Sequence, residues 1–136
     1  MIVADVNLLA YVLIKGEHTE TASAILVRDP DWAFPYLWRF EFRNILAMLI
    51  QHRGMRPEHA LLVWDNATSL ARQREFSTDP NVIFNLVTRY PITAYDAEYV
   101  ALAKHLRVPL VTFDRKLVGS AAETAISAEG FLRRKA

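Results

Sequence analysis

The chain has 136 residues, about the length of one domain, and its formal net charge of +1 does not point to a particular kind of partner. Because 52% of the residues are hydrophobic and only four are glycine, we expect a packed core and exclude a disordered or repetitive chain. The absence of cysteine excludes disulfides and thiolate ligands, so a metal would be bound through oxygen or imidazole. No apolar run has transmembrane length and no signal-peptide pattern is present. We therefore expect one soluble, cytoplasmic domain over residues 1–136.

Strands and helices are predicted to alternate along the chain. We predict strands over 2–4, 32–34, 75–77, 110–113 and 124–126. Helices are predicted over 8–14, 18–28, 36–52, 57–70, 81–89, 96–106 and 115–118, with a last helix capped by Ser127. Gly16 is expected to end a helix in the left-handed conformation, and Gly54 is expected to stop the helix predicted over 36–52. This alternation indicates an α/β domain with a central, mainly parallel sheet and helices on both faces.

Two apolar strands each end at an acid. Asp5 follows the run Ile2-Val3-Ala4, and Asp114 follows the strand that begins at Leu110. The carboxyl ends of parallel strands form the crevice where ligands bind, and neighbouring strands lie about 4.8 Å apart. Asp96, at the start of a predicted helix, is expected at the same edge. Each of these three acids could equally be an ordinary helix N-cap.

Glu41 lies within the apolar face of the helix predicted over 36–52. A carboxylate among apolar side chains costs several kcal/mol unless it is paired or bound to a metal. The simplest alternative is an ion pair with Arg39 or Arg43. Those residues are two positions away and project from other faces of the helix, so Glu41 is the fourth candidate acid.

Four carboxylates that converge on one edge would repel one another. Two of them about 5 Å apart repel by about 3 kcal/mol at an effective dielectric constant of 20, so the cluster must hold protons or bind a cation. All-oxygen ligands favour Mg²⁺, with Mn²⁺ as an alternative. Because carboxylate-bound Mg²⁺ mostly serves phosphoryl transfer and phosphodiester hydrolysis, the acids predict a nuclease. The four histidines are scattered, and neither a Gly-rich phosphate loop nor a nucleophile elbow is present.

Other polar residues lie next to the acids in the sequence. Some could orient the carboxylates or metal-bound waters, or could equally satisfy backbone groups; they are Asn7, Asn44 and Thr112. Basic side chains near the acids are candidates for phosphate contacts or are simply solvated charges; they are Arg39, Arg43, Arg115 and Lys116.

The motifs around these acids resemble the four conserved blocks of PIN-domain proteins of the VapC type. The blocks are Asp5-Val6-Asn7, Glu41 with Asn44, Tyr95-Asp96-Ala97-Glu98-Tyr99 with Leu102-Ala103, and Pro109-Leu110-Val111-Thr112-Phe113-Asp114-Arg115-Lys116-Leu117. Together they span nearly the whole chain, and the last is the most specific. No family motif is identified between Leu62 and Phe84.

The resemblance implies a three-layer α/β/α domain whose central, mainly parallel sheet has four or five strands. It also implies a Mg²⁺-dependent endoribonuclease, often a homodimer, that acts as a toxin neutralised by an antitoxin. Carried onto this sequence, the site acids are Asp5, Glu41, Asp96 and Asp114. We expect Asp5 and Asp96 to bind the metal directly, while Glu41 and Asp114 bind a second ion or position the attacking water.

Two other functions stay open at this stage. One is a catalytically silent binding module with the same fold, whose acidic, metal-poor groove would serve only as a protein-docking surface; retention of all four acids argues against it. Separately, the aromatic residues Tyr36, Trp38 and Trp64 could be exposed for partners. The other is a receiver-like or dehalogenase-like phosphotransfer domain. That class needs a second acid or a partner lysine in set places, and Asp5-Val6-Asn7 lacks the second acid.

Overall fold

A computed structural model describes residues 1–134 of the chain. Within this range the strands are β1 (Ile2–Ala4), β2 (Trp32–Pro35), β3 (Glu75–Phe76), β4 (Leu110–Thr112) and β5 (Ala125–Ser127). The helices are α1 (Val6–Leu13), α2 (Thr19–Arg28), α3 (Trp38–Arg53), α4 (Pro57–Ala71), α5 (Pro80–Arg89), α6 (Ala94–Leu106), α7 (Arg115–Ser120) and α8 (Ala128–Arg133). Every predicted element is present, with bounds that differ by at most two residues.

The strands form one sheet in the order β3-β2-β1-β4-β5, and every neighbouring pair is parallel. β1 is the central strand, and all three of its residues are buried. This burial on both faces explains why its sequence is continuously apolar rather than alternating. In the β1–β4 register Ala4 is paired with Val111, and the Asp5 amide donates to the Val111 carbonyl at 3.1 Å. Both strands therefore end at the same edge, as predicted.

Helices cover both faces of the sheet. Ile2 and Ala4 point into one core, which contains Trp38 and Phe42 of α3, whereas Val3 points into the other core, which contains Tyr99 of α6. Successive side chains of a strand point to opposite faces, so β1 contributes to both layers. The architecture is the three-layer α/β/α arrangement that was predicted.

The buried face of α3 is narrower than the distribution of its apolar residues indicates. Its buried face consists of Trp38, Phe42 and Leu46, spaced by four residues, and Met48 is 50% exposed. Trp38 is fully buried because Trp64 of α4 stacks on it, with ring centroids 5.4 Å apart. The expectation that Trp38 is exposed for a partner is therefore wrong, and Trp64 is only partly exposed.

The two glycines expected to end helices differ. Gly54 does end α3 in the left-handed conformation, with a φ of 70°. The prediction for Gly16 is wrong, because α1 already ends at an extended Ile14, whose amide donates to the Ala10 carbonyl. None of the helices within residues 1–134 is both long and apolar enough to cross a membrane.

Candidate active site

Asp5 and Asp114 occupy equivalent positions after adjacent strands. Asp5 caps α1 through Oδ1, which accepts a 2.8 Å hydrogen bond from the Val6 amide. Asp114 caps α7 through Oδ1, which accepts from the amides of Lys116 and Leu117 at 3.0 and 3.2 Å. Both acids are therefore N-caps, as the simpler interpretation proposed. Capping engages only Oδ1 in each residue, so it does not exclude a ligand-binding role for Oδ2.

Thr112 joins the two strand ends. Its hydroxyl donates to Oδ2 of Asp5 at 2.6 Å and accepts from the Asp114 amide at 2.9 Å. Asn7 reinforces this connection, because its Nδ2 lies 3.4 Å from Asp5 Oδ2 and its Oδ1 accepts from the Phe113 amide at 3.4 Å. Two of the polar residues singled out in the sequence thus lie against Asp5. Asn44, the third, is exposed on α3.

Asp96 lies in the first turn of α6 but does not cap the helix. The N-cap is Thr93, whose hydroxyl accepts a 3.0 Å hydrogen bond from the Asp96 amide. The N-cap interpretation of Asp96 is therefore wrong, and α6 begins two residues earlier than predicted. The half-buried carboxylate of Asp96 lies near the positive end of the helix dipole, which favours an anionic group there.

Glu41 is held by a residue that the sequence reasoning did not single out. The hydroxyl of Tyr99, on α6, donates a 2.6 Å hydrogen bond to Glu41 Oε1. The alternative ion pairs are absent among the described residues, because Arg39 binds Glu75 and Arg43 lies over the Phe40 and Trp64 rings. Tyr99 belongs to the same motif as Asp96, and the three-residue spacing that puts both on one helix face was the available signal.

The pKa values show that the four acids influence one another. Burial raises the pKa of Asp5 to about 6, and the charges of Asp96 and Asp114 add to the rise. Burial raises the pKa of Glu41 to about 7, with contributions from Asp5 and Asp96. The pKa of Asp96 is raised by burial and then by Asp114. The structure therefore brings the four predicted acids together at the carboxyl edge of the sheet.

Hydrogen bonds oppose this rise only in part. The hydroxyl of Thr112 lowers the pKa of Asp5, and the hydroxyl of Tyr99 lowers the pKa of Glu41. Burial and the nearby Glu41 carboxylate raise the pKa of Tyr99, so the phenol stays neutral and remains a donor. Lys116 is the cation that lowers the pKa of Asp96, and it is the smallest of the influences on that group. The site thus holds more negative charge than its own cations balance.

The chemistry of these side chains suits a hard divalent cation. All four acids offer oxygen ligands, and their mutual repulsion would be relieved by a bound Mg²⁺ or Mn²⁺. Within residues 1–134, however, no three acidic or histidine side chains are already arranged to hold one ion. The donor set therefore fits the metal in charge and ligand type, without a formed coordination site.

The four basic candidates lie in different surroundings. Arg39 binds both carboxylate oxygens of Glu75, with Nε–Oε2 and Nη2–Oε1 distances of 2.6 and 2.8 Å. Arg43 is exposed on α3, and Arg115 and Lys116 are exposed in the first turn of α7, directly after Asp114. Among these four, and within residues 1–134, only Arg39 has a carboxylate partner.

These features define a class: three-layer α/β/α proteins with acidic side chains at the carboxyl edge of a parallel sheet. The model of the PIN domain family matches residues 2–122, and the chain therefore belongs to the PIN-domain family. This confirms the family resemblance seen in the motifs. Proteins with this domain are in general nucleases.

Solved structures agree with this assignment at the level of the fold. FitAcB from Neisseria gonorrhoeae is similar with a TM-score of 0.75 and 17% identity, over 95% of this chain and 99% of that chain. FitAB bound to an IR36 DNA fragment gives 0.70 and 19%, over 94% and 95% of the two chains. PAE2754 from Pyrobaculum aerophilum gives 0.70 and 21%, over 96% and 85%. No curated protein matches the chain.

Proposed function

We propose that this PIN-domain protein is a Mg²⁺-dependent endoribonuclease of the VapC type, acting in the cytoplasm as the toxin of a type II toxin–antitoxin pair. The observation that carries the proposal is that Asp5, Glu41 and Asp96 have raised pKa values, to which the charges of neighbouring acids, including Asp114, contribute. Membership of the PIN family supports nuclease activity in general. The choice of RNA over DNA rests on the resemblance of the motifs to the VapC type.

The four acids have different proposed roles. Asp5 and Asp96 would hold Mg²⁺, or Mn²⁺ in its place, and Glu41 and Asp114 complete the site by binding a second ion or positioning water. Bound Mg²⁺ would lower the pKa of a water and stabilise charge on the phosphate oxygens. Thr112 and Asn7 fix the Asp5 carboxylate through hydrogen bonds. Because its pKa is about 7, Glu41 can accept a proton from the attacking water at neutral pH.

Phosphate contacts are proposed for the basic residues that lie near the four acids in the sequence. Arg115 and Lys116 directly follow Asp114 and are exposed, which suits contact with a phosphate that flanks the cleavage position. Arg43 is also exposed on α3. Arg39 could take part only by exchanging its bond to Glu75 for a phosphate. Neutralising Arg115 or Lys116 should therefore weaken RNA binding more than neutralising Arg39.

The proposed partners are an antitoxin and a second copy of the chain. Support comes from exposed apolar side chains on α3 and α4, namely Phe40, Leu61 and Leu62, which are each more than 60% exposed. The acids at the carboxyl edge of the sheet would also attract a basic segment of an antitoxin. A small neighbouring reading frame with a DNA-binding domain would supply the candidate, and its product should suppress cleavage in a reconstituted mixture.

One observation favours the alternative of a catalytically silent binding module. Over residues 1–134 no three acidic or histidine side chains are already placed around one ion, an arrangement that a docking surface without metal does not need. A binding module would show no cleavage at any metal concentration. Its only loss after Asp5→Asn would be in affinity for the partner.

The decisive experiment is cleavage of end-labelled single-stranded RNA, with DNA of the same sequence as a parallel substrate. We expect cleavage with Mg²⁺, none with EDTA, and a loss of at least about 100-fold in Asp5→Asn. Asp65→Asn, at an exposed position on α4, is the matched control and should keep full activity. Water as nucleophile gives 5′-phosphate and 3′-hydroxyl ends. A 2′,3′-cyclic phosphate, or cleavage that survives EDTA, would exclude this mechanism.

A further inference from the structure

We propose that Tyr99 is a positioning residue that holds Oε1 of Glu41 and thereby presents Oε2 as the oxygen that acts on water or metal. This inference rests on the proposed function, because it assigns a role to Glu41 within the same site. It follows from one contact, the 2.6 Å hydrogen bond between the Tyr99 hydroxyl and Glu41 Oε1. The two residues are 58 positions apart, so the contact is a product of the tertiary fold.

The position of the Tyr99 ring is fixed by packing. The side chain is 1% exposed and belongs to the apolar core formed between α6 and the sheet. Its neighbours Ala97, Val100 and Ala101 on α6 are also buried. A ring enclosed in this way has little freedom to move. Its hydroxyl is therefore a rigid reference point for the Glu41 carboxylate.

The hydrogen bond connects helices that lie on opposite faces of the sheet. Glu41 is carried by α3, whose Trp38 and Phe42 pack in one core, whereas Tyr99 and Asp96 are carried by α6, which packs in the other core. Asp96 and Tyr99 are three residues apart and so lie on one face of α6. The same helix therefore sets the position of one acid directly and of another through the phenol.

Only the hydroxyl of Tyr99 requires an explanation beyond packing. A phenylalanine would fill the same apolar space, and Glu41 is the side chain that binds the hydroxyl. Across residues 1–134 no buried side-chain nitrogen or oxygen lacks a hydrogen-bond partner. The Tyr99 hydroxyl follows this rule because Glu41 is its acceptor. Holding one carboxylate oxygen fixes the direction of the other.

A second tyrosine–glutamate pair provides a matched control. Tyr90 also donates to a glutamate, Glu123, but Tyr90 is only partly buried, Glu123 is exposed, and Glu123 lies just before β5, at the amino end of the strands. Tyr90→Phe removes the same chemical group from the opposite edge of the sheet. The change in the readouts caused by Tyr90→Phe therefore measures the effect of losing a tyrosine–glutamate hydrogen bond that involves no proposed site residue.

The test is a double-mutant cycle of Tyr99→Phe and Glu41→Gln, with two readouts. The first is the Mg²⁺ concentration that half-saturates the binding heat in isothermal titration calorimetry, and the second is kcat on single-stranded RNA. Residues that orient metal ligands typically contribute 10- to 100-fold to affinity or activity. We expect Tyr99→Phe to change one or both readouts by about that factor in the wild-type background, with KM within about twofold. In the Glu41→Gln background we expect Tyr99→Phe to change the Mg²⁺ readout by less than about twofold.

Several results would overturn the inference. Equal losses in both backgrounds would mean that Tyr99 acts through the fold. Unchanged readouts, or losses matched by Tyr90→Phe, would mean that the hydroxyl has no role.

A metal-free crystal structure of Tyr99→Phe tests the positioning without any activity measurement, because we expect the Glu41 carboxylate to change its position. An unmoved carboxylate would overturn the inference. If the wild type binds Mg²⁺ but cleaves no RNA, the ribonuclease proposal fails alone, since the calorimetric cycle still tests Tyr99.

Discussion

The hydroxyl of Thr112 donates a 2.6 Å hydrogen bond to Oδ2 of Asp5, across the carboxyl ends of β4 and β1. Thr112 is fully buried and Asp5 is 8% exposed, so neither group can exchange this bond for one to water. The bond stabilises the charged form of Asp5 and lowers a pKa that burial has raised. The Thr112 hydroxyl thus favours the ionised form of Asp5 at neutral pH.

Thr112→Val should destabilise the metal-free protein by about 1–3 kcal/mol at pH 8, because it removes the short hydrogen bond to Oδ2 of the buried Asp5 carboxylate and the acceptor of the Asp114 amide. The loss should be smaller at pH 5, where Asp5, with a pKa of about 6, is mostly protonated. Urea unfolding at both pH values measures the difference. Thr88→Val, on the exposed side of α5, is the control, with an expected change within about 0.5 kcal/mol. Equal losses at both pH values would contradict the role of the Asp5 charge.

The stability of the metal-free protein should depend on the protonation of Glu41. Its pKa rises from 4.5 to about 7 on folding, so the folded protein binds more protons than the unfolded chain between these values. The stabilising contribution is complete below the unfolded pKa and is lost as the pH rises through 7. Glu41→Gln removes this titration, so its Tm relative to the wild type should increase from pH 5 to pH 8.

Glu123→Gln is the control of opposite sign for this experiment. Hydrogen bonds from Tyr90 and Lys104 lower the pKa of Glu123, so its contribution is lost as the pH falls. The Tm of Glu123→Gln relative to the wild type should therefore not increase toward pH 8. If Glu41→Gln also shows no increase, the environment inferred for Glu41 is wrong.

Mg²⁺ should raise the thermal midpoint, because an ion that binds only the folded state adds stability, about 2.7 kcal/mol at one hundred times its Kd. Asp96→Asn should raise the Tm of the metal-free protein, since it removes one of the charges that repel Asp114 and Asp5. The same variant should respond less to Mg²⁺. Melting curves in millimolar MgCl₂ and in NaCl of equal ionic strength separate binding from screening. An unchanged Tm at saturating Mg²⁺ would count against a metal-binding cluster.

Glu75→Ala should destabilise the protein by about 1–3 kcal/mol, because it removes three hydrogen bonds at the start of α3. Oε2 of Glu75 accepts from the buried Trp38 indole at 2.8 Å, and both of its oxygens accept from Arg39. Arg39 lowers the pKa of Glu75, so the stabilisation should be present at neutral pH and fade in acid. Glu58→Gln, in an exposed pair with Arg56, should change stability by no more than about 1 kcal/mol. Similar effects of the two variants in urea unfolding would contradict the prediction.

Local sequence patterns were sufficient to predict the fold. The unbroken apolar run of β1 indicated burial on both faces, and the alternation of strands and helices indicated a parallel sheet between helical layers. Asp5 and Asp114 could be placed at one edge because parallel strands end together. These inferences depend on the periodicity of apolar residues, which can be recognised within a short segment of the chain.

Side-chain partners were decided by the tertiary structure. The spacing of Tyr99 from Asp96 puts both on one face of α6, but no local pattern pairs Glu41 with Tyr99, Arg39 with Glu75, or Trp38 with Trp64. Each of these contacts joins segments that are distant in the chain, and each depends on the rotation of a helix about its axis. Hydrophobic periodicity limits that rotation only loosely, whereas close packing against the sheet fixes it. The sequence by itself therefore identified the four candidate acids, and packing decided which neighbour holds each one.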